Sequence, residues 1–290
     1  VIELHAVDAL ARQKWLGQAS ETVQQAVQSI FTAGGSAAQP IADFFHGTWL
    51  GHPLHPVLTD IPIGAWTAAL LLDALDIVGE KDYAPGADAA VALGLAGAVG
   101  AAVSGLTDWK DLDARPQRIG LVHGALNLGA TALFGASLVL RRSEARAAGR
   151  GTALAGYLVA AAAAYLGGDM VFRDQIGVSH SSPVWKTLKY APVLSDAELA
   201  EGEPRRVEVG ERRIVLVRQG KRIYALEERC SHLGGPLADG MVEDGCIQCP
   251  WHGSRFALED GRPVDGPATI PQPCFETRVR NGQIEVRAAE

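Results

Sequence analysis

The sequence has no surplus of positive charge: 26 Lys and Arg stand against 33 Asp and Glu, a formal net charge of −7. That balance disfavours a nucleic-acid partner on electrostatic grounds. Cysteine is scarce, with four in 290 residues. Nothing in the sequence pairs Cys246 with Cys274, and they read as small buried hydrophobes in a reducing compartment. The opening "VIELHAVDAL" lacks both a basic region and an apolar core, so no cleavable signal peptide is expected there. Charge is also unevenly spread along the chain. Between Ile61 and Gly168, Ala, Leu, Gly and Val dominate, while residues 1–50 and 190–290 carry most of the ionisable side chains.

Four apolar runs in that middle region read as membrane spans: Ile61–Val78, Ala89–Thr107, Ile119–Leu140 and Thr152–Gly168. A hydrocarbon core of about 30 Å needs roughly 20 helical residues, so the first and last runs are short and tilt or thinning is expected to absorb the difference. The alternative is a soluble bundle of Ala-rich helices, which short charged loops between such runs make hard to cover with polar surface. Small-residue steps at Ala96–Gly100 and Ala101–Gly105 predict close helix approach on the second span. Residues 8–31 carry Leu10, Leu16, Val23, Val27 and Ile30 at helical intervals, predicting one amphipathic helix on the membrane surface or against another domain.

After the fourth run the texture changes to short alternating strands, with glycine turns at Gly210 and Gly220 and a strong hairpin signal at Asn281-Gly282. A small antiparallel β domain is expected from residue 191 to the end. Within it, "CSHLGGPL" and "CPWHGSRF" give Cys230-x-His232 and Cys249-x-x-His252. Two Cys and two His could hold a tetrahedral zinc. The single residue between the first two ligands is tight for a zinc knuckle, however, and glycines follow each box. Each box also pairs one thiolate with one imidazole, the donor set of a [2Fe–2S] centre with Cys₂ on one iron and His₂ on the other.

On these motifs, residues 191–290 resemble a Rieske iron–sulfur domain. The resemblance implies that Cys230 and Cys249 bind one iron, and His232 and His252 the other. Rieske proteins of quinol-oxidising complexes add a bridging disulfide between the boxes; Gly235 and Trp251 stand at those positions here. Ser254 supplies one hydroxyl donor to the cluster, while Phe256 occupies the place where high-potential members carry Tyr. The domain therefore resembles the ferredoxin-type branch that serves oxygenases, with a low to intermediate potential. No oxygenase catalytic domain accompanies it, so no self-contained oxygenase active site is expected.

The segment "HGTWLGHPLHPVLTDIPIGAW" resembles an uncharacterised bacterial membrane-domain family marked by HPLHP, usually a four-helix unit. The expected organisation is an N-terminal amphipathic helical segment (1–50), a four-helix transmembrane domain (51–170), a linker (171–190) and the Rieske domain (191–290). Alternation of the spans places His52, His55 and His123 on the membrane face from which the chain leaves for the β domain. Ionisable residues beside membrane helices are usually functional. Two histidines from different helices are what a b-type haem takes as axial ligands, so His52 or His55 with His123 is a candidate haem b site; a quinone pocket is the alternative. The expected partners are the lipid bilayer and a redox protein or quinone. Lys110, Arg115, Arg118, Arg173, Lys186 and Lys189 on the Rieske side nearly balance Lys81, Arg141, Arg142, Arg146 and Arg150 on the other, so charge does not orient the chain. The missing export signal and missing disulfide favour a cytoplasmic Rieske domain. The reading is a membrane-anchored one-electron carrier; the alternative is a tethered Rieske ferredoxin for a separate oxygenase.

Overall fold

Seven α-helices precede ten β-strands in a computed structural model that describes residues 2–79, 81–143, 145–181 and 189–288, with only the backbone at 2–5. Residues 182–188 of the expected linker, Lys186 among them, lie outside the described residues. The chain divides into two units, Val1–Gly35 with Leu54–Ile176 and Ser36–Pro53 with Gly177–Glu290. Residues 36–53 thus belong with the β unit rather than with the N-terminal helices. The reason is local: Asp43, on helix α3 (Ala38–His46), accepts the Gly266 N–H at 2.7 Å.

In the helical unit, α4 (Leu54–Val78), α5 (Ala84–Trp109), α6 (Ala114–Arg141) and α7 (Arg146–Phe172) are 25 to 28 residues long. At 1.5 Å per residue they reach about 38–42 Å, more than the hydrocarbon core needs. The apolar runs underestimated them because each helix continues into polar flanking turns, so no shortfall has to be absorbed. All four are long and apolar enough to cross a membrane. Large apolar side chains point outward along them, among them Leu71, Leu93, Leu128, Val139 and Leu158.

Of the two expected small-residue steps on α5, Ala101–Gly105 makes a close approach, a Cβ on Gly105 standing 2.8 Å from the His55 ring. Gly100 is in ordinary contact with Leu58 at 3.6 Å, while Gly94 and Gly97 add closer approaches. A Cβ on Gly94 would stand 2.2 Å from the Trp66 indole, and one on Gly97 2.5 Å from Ile61. The expected single amphipathic helix is two, α1 (Ile2–Ala11) and α2 (Lys14–Ala33). The Arg118 guanidinium donates to the Ala11 carbonyl at 2.9 Å, satisfying an end carbonyl of α1 where the chain breaks. Val7 and Ala11 bury themselves against Ile119 and Leu166, so this segment packs on the bundle.

In the β unit, strands run β1 (Ala191–Ser195), β2 (Arg205–Val209), β3 (Arg212–Gln219), β4 (Arg222–Glu227), β5 (Met241–Glu243), β6 (Cys246–Gln248), β7 (Arg255–Ala257), β8 (Pro263–Asp265), β9 (Cys274–Arg280) and β10 (Gln283–Ala288). A six-stranded sheet has the order β1-β10-β9-β4-β3-β2, and a four-stranded sheet the order β5-β6-β7-β8; the pairings are antiparallel. The β9–β10 hairpin turns at Asn281-Gly282, both left-handed at φ of 50° and 73°, as that dipeptide predicts. Strand β3 is buried on both faces: Val215 and Val217 enter the cluster with Ile247 and Phe256, while Ile214 and Leu216 face Ile284 and Val286. Alternation of side chains along a strand gives each core its own set.

Candidate functional site

Two loops at one end of the small sheet carry the sequence-predicted ligands. The first follows β4 and holds Cys230 and His232; the second follows β6 and holds Cys249 and His252. Cys230 and Cys249 are 1% and 3% exposed, in the same cluster as Leu237 and Phe256. Their thiols hydrogen-bond each other, which lowers Cys249 to about 7 and raises Cys230. Backbone N–H groups from His232 and Leu233 face the first sulfur, and those of Trp251 and His252 the second. Such donors favour the thiolate form that metals take. The His232 and His252 rings lie 5.0 Å apart and perpendicular. The arrangement is two like pairs. Among the described residues, no three His, Cys, Asp or Glu converge on a point for one ion. A two-iron cluster with sulfur on one side and nitrogen on the other fits this donor set; a single tetrahedral ion does not.

Gly235 is part of the same cradle. A Cβ there would stand 2.7 Å from the Cys249 sulfur and 3.1 Å from the Trp251 ring. This position, matched to a bridging cysteine in Rieske proteins of quinol-oxidising complexes, has room here for a hydrogen alone. Cys246 and Cys274 are free thiols in β6 and β9, and burial pushes Cys274 up to about 11.

The two loops are joined by hydrogen bonds from a third, residues 266–273, where a disulfide is absent. Gln272, 1% exposed, accepts the Ser231 N–H at 2.9 Å and donates to the Glu227 and Arg229 carbonyls at 2.7 and 2.8 Å. Ser231 Oγ donates to the Ile270 carbonyl at 2.7 Å. On the second loop, Ser254 Oγ accepts the Ala268 N–H at 2.9 Å, which leaves the serine's own proton to donate elsewhere. Phe256 is fully buried in β7 beside the cysteines' cluster. Sequence reasoning did not find Gln272; its only signal was a polar side chain between prolines in "IPQP".

In the helical unit His55 and His123 come together, with ring centroids 6.3 Å apart. His55 lies in the first turn of α4, inside the helix rather than ahead of it, and Nδ1 bonds the Ala101 carbonyl at 2.9 Å. His123 on α6 bonds the Ala163 carbonyl through Nδ1 at 2.8 Å, and Asn127 Nδ2 stands 3.1 Å from its Nε2. His52 belongs to the other unit, where it is exposed and its Nδ1 lies 3.1 Å from the Pro53 carbonyl oxygen.

Comparison with known proteins gives both halves a family. Residues 189–276 match the Rieske [2Fe–2S] domain, and residues 51–180 match the predicted membrane protein family DUF2231. The ferredoxin subunit of anthranilate 1,2-dioxygenase from Burkholderia cepacia is 34% identical over 98 residues, covering 34% of this chain and 91% of that protein. Apoptosis-inducing factor 3 of Homo sapiens is 29% identical over 117 residues, covering 40% of this chain. This chain spans only 19% of that longer protein. Among solved structures, the ferredoxin of carbazole 1,9a-dioxygenase from Nocardioides aromaticivorans is 28% identical; the match covers 36% of this chain and 100% of that one, at a TM-score of 0.34. The Rieske domain implies a [2Fe–2S] cluster. The chain belongs to the Rieske [2Fe–2S] family through its C-terminal part, joined to a DUF2231 membrane domain that precedes it.

Proposed function

We propose that this protein is a membrane-anchored one-electron carrier. The observation that carries the reading is the pairing of Cys230 with Cys249 and of His232 with His252 on loops held by buried hydrogen bonds. Cys230 and Cys249 would hold one iron, and His232 and His252 the other; when bound, the cluster would supply one-electron redox chemistry. The protein's part is to fix the donors, exclude water from the buried thiolates and supply hydrogen bonds that set the potential. The four long apolar helices anchor the domain in the bilayer.

The electron's membrane-side partner is a haem or a quinone at the end of the bundle where His55 and His123 lie and where α7 delivers the chain to the Rieske domain. The Rieske domain is cytoplasmic in this reading. A second reading has specific support: the anthranilate dioxygenase ferredoxin subunit is among the relatives. In that case the helices serve as a tether and the acceptor is a separate oxygenase.

Purified protein should contain two irons per chain and, once reduced, give a rhombic EPR signal with low average g. Cys230→Ser and Cys249→Ser should each remove it. One zinc and no iron per chain would overturn the reading. Reduction of the cluster by quinol in the intact protein, lost in His123→Ala, supports the first partner; cluster reduction independent of quinol and of the membrane histidines supports the oxygenase reading.

A further inference from the structure

The four long helices are a duplicated helical hairpin. Shifting α4 by 68 residues onto α6 carries His55 to His123, Trp66 to Phe134 and Asp73 to Arg141. Each of these residues touches its own equivalent. The histidine rings lie 6.3 Å apart, Trp66 stacks on Phe134 at 4.0 Å and 9°, and Arg141 forms a two-pronged ion pair with Asp73. A residue that touches its own repeat mate lies on the axis relating the two repeats. The steps of 11 and 7 residues are three and two helical turns, so the three positions form one stripe down each helix.

The second helices correspond at a shift of 62 residues: Gly94 with Gly156, Ala101 with Ala163, Gly105 with Gly167. Each repeat builds its histidine alike. His55 Nδ1 bonds Ala101 O, and a Cβ on Gly105 would stand 2.8 Å from the ring; His123 Nδ1 bonds Ala163 O, and a Cβ on Gly167 would stand 3.1 Å from its ring.

Carbonyl oxygens only accept, so both Nδ1 atoms carry a proton, and in the neutral ring the Nε2 atom presents a lone pair. This is the outer-shell arrangement of metal-ligating histidines, whose second nitrogen donates to a carbonyl. Two imidazoles on opposite sides of one metal put their ring centres about 6 Å apart, given metal–nitrogen bonds of about 2 Å. The observed separation matches. A bare ion would need further donors, and among the described residues no third His, Cys, Asp or Glu joins the pair. An iron already held by four porphyrin nitrogens needs only two. A quinone's carbonyl oxygens need N–H donors, which these rings have given to the backbone.

We infer that His55 and His123, repeat-related and on the duplication axis, are the axial ligands of one haem iron, with Ala101 and Ala163 carbonyls fixing their tautomers and Gly105 and Gly167 making room for the rings. This rests on the membrane-side haem of the proposed function and names its ligands; His52 is not one. The Asn127 amide, now 3.1 Å from His123 Nε2, gives way to the iron.

The test is expression of the full chain with haem supplied, followed by detergent purification and addition of iron protoporphyrin IX. Wild type should bind about one haem per chain with the absorption bands of six-coordinate low-spin iron, and His52→Ala should match it. His55→Gly and His123→Gly should each lose at least ten-fold of the low-spin band, and added imidazole should restore it. Haem-free wild type, or low-spin haem retained in both glycine variants, overturns the inference. Rieske EPR recorded on the same samples separates the two readings: its persistence without haem leaves the electron-carrier reading standing, and its absence with haem bound removes that reading alone.

Discussion

Gln272 accepts the Ser231 backbone N–H at 2.9 Å from the far side of the β unit's ligand loops. Its amide also donates to the Glu227 and Arg229 carbonyls, so one side chain satisfies three buried backbone groups around Cys230. Leaving such groups unpaired costs about 1–3 kcal/mol each. Gln272→Ala should lower the melting temperature of the β unit and speed cluster loss, measured by thermal melts and by decay of the visible absorption of the iron–sulfur centre. Unchanged cluster lifetime would show that the loops hold together without this strap.

The potential should respond to the two residues behind the second loop. Ser254 has a hydroxyl proton to donate, its oxygen being engaged with the Ala268 N–H, and Phe256 has none. Donors to the cluster stabilise the extra electron. Ser254→Ala should lower the midpoint potential and Phe256→Tyr should raise it, measured by protein-film voltammetry. Wild type should fall below the top of the family range of about −150 to +300 mV; a value at that upper limit would contradict this account.

In the helical unit the Arg141 side chain is 0% exposed and its partner Asp73 6%. Removing one member of a buried ion pair strands the other charge, at about 3–5 kcal/mol, whereas replacing both with apolar groups is often neutral. Asp73→Leu should destabilise the bundle strongly, and Asp73→Leu with Arg141→Leu should recover most of the loss, read from unfolding in detergent. Asp88 also reaches Arg141, at 3.3 Å, and Arg150 reaches Asp73, at 3.4 Å, so the single-variant loss should be less than for an isolated pair and recovery should be incomplete.

Glu227 gives a pH dependence with a definite sign. Burial raises its carboxyl pKa, with Arg212 pulling the other way. A carboxylate whose folded-state pKa is raised destabilises the fold where it is ionised, and the penalty disappears as pH falls through the folded value. Glu227→Gln should therefore raise the melting temperature at pH 7, with the gain shrinking toward pH 4. A gain independent of pH would assign it to packing instead.

The sequence alone determined what depends on local spacing. Cys-x-His and Cys-x-x-His boxes, the Asn281-Gly282 turn and four long apolar runs each lie within a few turns of chain, so their meaning survives without knowing what they touch. Boundaries were less legible: α4 begins at Leu54, seven residues before its apolar run, because helix hydrogen bonding continues where hydropathy ends. The tertiary structure decided what depends on distant partners. Gln272 reads as an ordinary loop residue until the third loop folds onto Ser231, and residues 36–53 join the β unit through Asp43. The duplication was hidden because its identical pairs, such as His55 with His123 and Gly105 with Gly167, stand singly in apolar sequence while Asp73 is matched by Arg141, and only packing brought the α4 and α6 residues each against its mate. His55 separated itself from His52 in the same way: both stand in one short motif, and only the helix that begins between them carries one to Ala101 and His123.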